Sequence, residues 1–104
     1  MKYELIKSND KHIPFTVLKK NEKDVVLTNF ISFTLPSFLE EIKECFDNVL
    51  NGKEKEIEGS YNDKTIIINK EITKMIDDWH DDAEYYVVNT KELYDLICKY
   101  IENK

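Results

Sequence analysis

The feature that most constrains the fold is a pair of amphipathic helical segments. In the first, LPSFLEEIKECFDNVLNGK, the apolar residues fall on one stripe of a helix. That stripe consists of Phe38, Leu39, Ile42, Phe46, Val49 and Leu50. Ser37 and Glu40 have the spacing of a capping box, and Gly52 can supply the left-handed residue that commonly ends a helix. We therefore predict a helix that begins near Ser37 and ends before Gly52.

The second helical segment lies near the end of the sequence, in NTKELYDLICKYIENK. Its apolar stripe consists of Leu93, Leu96, Ile97, Tyr100 and Ile101. Asn89 or Thr90 can cap its first turn, where Glu92 is favourable as well. Two helices with such stripes need an apolar sheet face to cover.

The remaining chain is rich in short β-prone runs. Three precede the first helix (YELI, IPFTVLKK and DVVLTNFISF), and four lie between the helices (EKEIEGS, KTIIINK, ITKMID and EYYVVN). Pro14 indicates an edge strand or a strand start, and Tyr61-Asn62-Asp63 indicates a hairpin turn. Short connections favour antiparallel neighbours. The predicted order is β-β-β-α-β-β-β-β-α.

This order predicts a single α+β domain over residues 1–104. We expect an antiparallel sheet of about five to seven strands with two amphipathic helices packed on one face. The opposite face is expected to stay partly open and to carry polar and tyrosine residues, with Tyr61 among the candidates.

The sequence pattern predicts neither a membrane span nor a signal peptide. No apolar run approaches the length of about 18 residues that a span requires, and the start MKYEL has no apolar core. We therefore expect a cytoplasmic protein with no membrane partner. Cys45 and Cys98 have no Cys or His at ligand spacing, so we expect two buried or half-buried free thiols.

Charge is distributed unevenly along the chain. The net charge is −6, and residues 77–84 contribute five acids and no base. The rest is close to neutral, and every basic residue is lysine. Because the chain has no arginine, a phosphate-binding function is less favoured. The net negative charge disfavours nucleic acid as a partner. A local acidic field favours a basic protein or a cation.

Motifs of the common enzyme classes are missing from the sequence. It has no glycine-rich phosphate loop, no G-x-S-x-G elbow, no H-E-x-x-H and no C-x-x-C. His12, His80 and a lysine could in principle cleave RNA by acid–base chemistry, but the Asp residues around His80 would repel the phosphate. We therefore predict a protein that is not an enzyme and needs no cofactor.

The run DDWHDD, residues 77–82, is the main candidate site and has three interpretations. As a docking surface, Trp79 is the apolar anchor and the acids steer a basic partner; the predicted contacts are Asp77, Asp78, Trp79, Asp81, Asp82 and Glu84, with Tyr86 as a weaker candidate. As a metal or ligand site it would use Asp78, His80 and Asp82. As a solubilising loop, Trp79 would pack on the core edge.

A resemblance bears on this choice. The run GSYNDKTIIINKEIT, followed by YYVVNTKELYDLICKYI, resembles the small acidic immunity proteins of bacterial contact-dependent and polymorphic toxin systems; the likeness covers residues 59–101. It implies binding of a cognate toxin, often a basic nuclease, and blockage of its active site. The alternatives are the small metal- or ligand-binding domain and a structural homodimer joined through the open sheet face.

Overall fold

The computed structural model of the chain describes residues 5–7, 15–17, 25–61, 64–77 and 85–102. The strands are β1 (Leu5–Lys7), β2 (Phe15–Val17), β3 (Glu56–Tyr61), β4 (Lys64–Asn69), β5 (Ile72–Asp77) and β6 (Tyr86–Asn89). The helices are α1 (Val25–Asn29), α2 (Leu35–Leu50) and α3 (Thr90–Glu102), with a π-helical segment (Phe30–Thr34) between α1 and α2. No helix in these ranges is long and apolar enough to cross a bilayer.

The central sheet is antiparallel and four-stranded, in the order β3-β4-β5-β6. The α+β class and the antiparallel sheet are thus confirmed, but the predicted count of five to seven strands is wrong in detail. The difference lies at the start of the chain. There β1 and β2 pair with each other as a separate antiparallel sheet, and β2 contacts the π-helical segment while β1 contacts α3.

The run DVVLTNFISF, predicted as a strand, is helical. Its buried residues, together with the next two positions, are Leu27, Phe30, Ile31, Ser32, Thr34 and Leu35. All of these except Ser32 follow the spacing of one helix face. Burial of that face against the core outweighs the preference of β-branched and aromatic residues for strands. The π-helical segment precedes Pro36, which has no backbone N–H to continue an α-helical ladder.

The first predicted helix is confirmed, with a different start. Ser37 lies inside α2 and donates a hydrogen bond back to the Phe33 carbonyl (Oγ–O 3.4 Å), so the predicted capping box is wrong. The helix bends at Phe38, whose φ of −132° is not helical. Gly52 follows the helix with a φ of +87°, which confirms the predicted left-handed stop.

The hairpin and the last helix match the prediction. β3 and β4 pair through to Tyr61 and Lys64, so only residues 62 and 63 connect them. Asn89 caps α3, because its side-chain oxygen accepts a hydrogen bond from the Glu92 N–H at 3.0 Å.

One face of the sheet carries the core. Buried or half-buried residues on alternate strand positions pack there against the α1–π–α2 run and α3; they are Ile57, Tyr61, Ile66, Ile68, Met75, Tyr86 and Val88. Lys64 is also buried on this side, and Asp77 is its partner in the ladder. We call this the covered face. It confirms the prediction that the helices pack on one side of the sheet.

Candidate interaction surface

The opposite side of the sheet contributes nothing to the core cluster. We call it the outer face and define it by Glu58, Ser60, Thr65, Ile67, Lys74, Ile76 and Val87. Ile67, Lys74 and Ile76 are half-buried, whereas Glu58 and Val87 are exposed. The outer face thus combines apolar side chains with a few charges, and no helix in the described ranges packs on it.

Strand β6 is where apolar side chains are most exposed on this sheet. It lies at the end of the strand order, and Val87 is 50% exposed. Tyr85, the residue before β6, is 44% exposed. Neighbouring positions of a strand point to opposite faces, so Val88 is buried in the core while Val87 is not.

Tyr86 and Tyr61 lie on the covered side of the sheet. Tyr86 pairs with Met75 in the ladder and is half-buried against the core. Its predicted role in partner binding stays a prediction, and Tyr85 is the more exposed of the adjacent pair. Tyr61 packs against Phe38 with 5.3 Å between ring centroids, so the suggestion that it lies on the open face is wrong.

Only the first residue of the acidic segment 77–84, Asp77, is among the residues that the structure describes. Asp77 ends β5, where the ladder pairs it with Lys64. Asp78, Trp79, Asp81, Asp82 and Glu84 lie outside the described residues, as do His12 and His80. The chain order nevertheless fixes the connection of this segment: it joins the end of β5 to Tyr85 and β6.

A second polar cluster links α2 to α3. Asp47 accepts hydrogen bonds from the Tyr94 hydroxyl (2.6 Å) and from the Lys43 ammonium (2.8 Å). The ammonium of Lys91 lies 5.2 Å from the centre of the Tyr94 ring and forms an ion pair with Asp95. Together with Leu50 and Asn51, Asp47, Lys91 and Tyr94 line a shallow surface depression.

The acid–base behaviour of this cluster follows from its hydrogen bonds. The Lys43 ammonium, and then the Tyr94 hydroxyl, donate to Asp47 and hold the pKa of its carboxyl below the usual value. The same bond to Asp47, followed by burial, raises the pKa of the Tyr94 phenol. Because the Asp47 carboxylate of α2 accepts a hydrogen bond from Tyr94 of α3, the cluster is best explained as a clasp between two helices.

The two cysteines lie on different helices, Cys45 on α2 and Cys98 on α3. Both are free and half-buried, which confirms the prediction for them. Cys45 Sγ lies 3.5 Å from the Tyr61 hydroxyl, and burial, followed by this contact, raises the pKa of Tyr61. Tyr61 is therefore held as a neutral packing residue between β3 and α2.

Metal ligands do not converge in the part of the chain that the structure describes. No group of three His, Cys, Asp or Glu side chains there could hold an ion. The predicted set Asp78, His80 and Asp82 lies outside the described residues, so it stays a prediction.

Sequence reasoning missed Val87 and Tyr85 as surface residues. The alternation of YYVVN was readable, but the phase of that alternation depends on which side the helices cover.

No family model matches the chain, and no curated protein or solved structure is significantly similar to it.

Proposed function

We propose that this chain is a non-enzymatic binding protein that neutralises a basic protein partner, in the manner of an immunity protein acting on its cognate toxin. The proposed contact surface is the acidic segment 77–84 together with Val87 and Tyr85. We further propose that it acts in the cytoplasm, where thiols such as Cys45 and Cys98 stay reduced.

One observation carries this proposal: the exposed apolar residue of β6, Val87, and the exposed Tyr85 before that strand follow the most acidic segment of the chain. Tyr85 and Val87 are 44% and 50% exposed, and five of the eight residues before Tyr85 are acidic. Interfaces that bind tightly combine an apolar centre with charged groups around it. A surface of this kind suits a partner with basic residues around an apolar patch.

The charge of the segment has a kinetic consequence. A concentrated negative field attracts a basic partner over distances of about a Debye length and speeds association at low salt. Carboxylates can also occupy positions on a basic nuclease where substrate phosphates would bind. Trp79 is proposed as the apolar anchor within this segment.

The homodimer is the second candidate, and the half-buried Ile67 and Ile76 on the outer face favour it. Those residues could be covered by the same face of a second copy. The net charge of −6 on each chain opposes such pairing, so we place the basic partner first.

The test measures binding to the C-terminal domain of the protein encoded immediately upstream of this chain. In the test variant, Asp78, Asp81, Asp82 and Glu84 become the corresponding amides. Asp77 is left unchanged because its ladder partner Lys64 is buried. The matched control neutralises four exposed acids elsewhere, Glu40, Glu44, Glu54 and Glu102, and so changes the net charge equally.

We expect the test variant to associate roughly 10- to 100-fold more slowly at low salt, with a weaker salt dependence. The control variant should lose much less. Equal losses in the two variants would show that only net charge matters, and no binding of the upstream protein would remove the basis for a toxin inhibitor. Sedimentation of the free chain tests the homodimer, because a monomer at high concentration rejects it.

A further inference from the structure

The hydrogen bonds between β5 and β6 show which backbone groups of β6 point to its free edge. In an antiparallel ladder, residue pairs alternate between those that exchange N–H···O bonds and those whose N–H and C=O point away. The Thr90 N–H donates to the Glu71 carbonyl at 3.1 Å, in register with the pairs Thr73–Val88 and Met75–Tyr86. Tyr86 and Val88 therefore bond to β5, and the N–H and C=O of Val87 point to the free edge.

The two edges of the sheet differ in how well they are protected against further pairing. Many edge strands carry charges or proline that discourage an additional strand. β3, at one edge, has exposed Glu56 and Glu58, with Gly59 beside them. β6, at the other edge, reads Tyr-Val-Val-Asn and contains none of these features. No strand in the described ranges pairs with its outer side.

We propose that β6 accepts an extended basic segment of the partner as an additional antiparallel or parallel strand of the sheet. In this arrangement the outward N–H and C=O of Val87 bond to the added strand, and the outer face beside Val87 receives its alternate side chains. The proposal rests on the binding function proposed above and specifies how the partner is held.

Charge selects a basic segment over a second copy of this chain. Five acids lie in the eight residues that precede Tyr85 and lead into β6. An added strand with lysine or arginine would approach this negative field favourably. A second copy would instead add a further net charge of −6.

The first test follows backbone amides by hydrogen exchange and NMR. In the free protein, the Val88 amide should be protected by its bond to β5, whereas the Val87 amide should exchange quickly. The probe is a peptide of about ten alternating lysine and valine residues, a length typical of a strand. At low salt it should protect the Val87 amide at least about tenfold, and a glutamate–valine peptide of the same length should not.

The second test separates backbone from side chain at one position. Val87→Pro removes the outward N–H while leaving both bonds of Val88 and Tyr86 to β5, a placement that edge strands tolerate. Val87→Ala removes most of the side chain and keeps the N–H. We expect the proline variant to bind the lysine–valine peptide at least about tenfold more weakly than the alanine variant.

Three results would overturn strand addition: a peptide that does not bind, a peptide that binds without protecting the Val87 amide, or equal binding by the two variants. The second and third leave the proposed docking function intact, because binding would then depend on side chains alone. Should the proline variant fold poorly, the amide protection measured in the wild-type chain still decides the question.

Discussion

The two faces of the central sheet contain the same kinds of residue in very different surroundings. On β4, Ile66 is buried in the core and Ile67, the next residue, is only half-buried on the outer face. On β6 the contrast is sharper, since Val88 is 4% exposed and Val87 is 50% exposed. Hydrophobicity alone therefore does not tell which residues stabilise the fold; the side covered by the helices decides it.

This difference has a consequence for function. Apolar residues buried on the covered face lower the free energy of the folded state, whereas those on the outer face leave apolar surface in water. Burial therefore gives Val87 and Ile76 less reason to be apolar than it gives Val88 and Met75. The binding proposed above would give a further reason, and the adjacent acids would give it a preferred charge.

The largest expected effect compares Ile66→Ala with Ile67→Ala. Ile66 has 1% exposure and packs among core residues, so its truncation should lower the free energy of unfolding by about 2–5 kcal/mol. Ile67→Ala removes the same atoms from a half-buried position and should cost about 1 kcal/mol. Urea unfolding of both variants measures the difference. Equal losses would mean that the outer face is as closely packed as the covered one.

The second prediction compares two buried threonines at the end of the covered face. The Thr90 hydroxyl donates its single hydrogen to the Asn69 carbonyl at 2.7 Å. The hydrogen between Thr90 and Thr73, 2.9 Å apart, must therefore come from Thr73. Thr90→Val removes partners from both Asn69 and the Thr73 hydroxyl, whereas Thr73→Val removes only a donor to Thr90.

We expect Thr90→Val to lower the free energy of unfolding by about 1–3 kcal/mol and Thr73→Val by about 1 kcal/mol. Thermal unfolding of the two variants measures the order. If Thr73→Val were the more harmful change, the assigned direction of the hydrogen bond between the two hydroxyls would be wrong.

The sequence predicted the second half of the fold better than the first. From Glu56 onward, alternating strands and one amphipathic helix agree with their local propensities, and the Asn89 cap was readable. In residues 25–34 the two signals conflict: Val25, Val26 and Phe30 favour a strand, while the spacing of Leu27, Phe30 and Ile31 favours a helix. Tertiary burial decided in favour of the helix, and propensity alone could not reveal that.

The candidate surface was predictable in charge but not in shape. Counting acids was enough to single out residues 77–84, because charge is a property of the sequence itself. Identifying Val87 required knowing which face of β6 the helices cover, and identifying β6 as an edge required the strand order. Both depend on contacts between residues far apart in the chain, which local patterns do not encode.

The smallest expected effect concerns two tyrosines, one in the clasp between the helices and one beside β6. Tyr94→Phe removes the 2.6 Å hydrogen bond to Asp47. Because the Asp47 side chain is 36% exposed, solvent screening reduces the value of this contact, and we expect a loss of about 0.5–1 kcal/mol. Tyr85→Phe, the matched control at an exposed position, should change stability by less than about 0.5 kcal/mol.

The pKa shifts of Asp47 and Tyr94 determine how the stability effect of Tyr94→Phe should change with pH. The pKa of Asp47 is lowered in the folded chain, so its contribution to stability is present above the unfolded pKa, about 4, and is lost as the pH falls through the folded value. The pKa of Tyr94 is raised, so its contribution is present below its unfolded value, about 10, and is lost as the pH rises through the folded one. The difference in unfolding free energy between wild type and Tyr94→Phe should therefore be largest between these limits and shrink at both ends. A difference that stays constant from acid to alkaline pH would show that the Tyr94 hydroxyl contributes in some way other than its bond to the ionised Asp47 carboxylate.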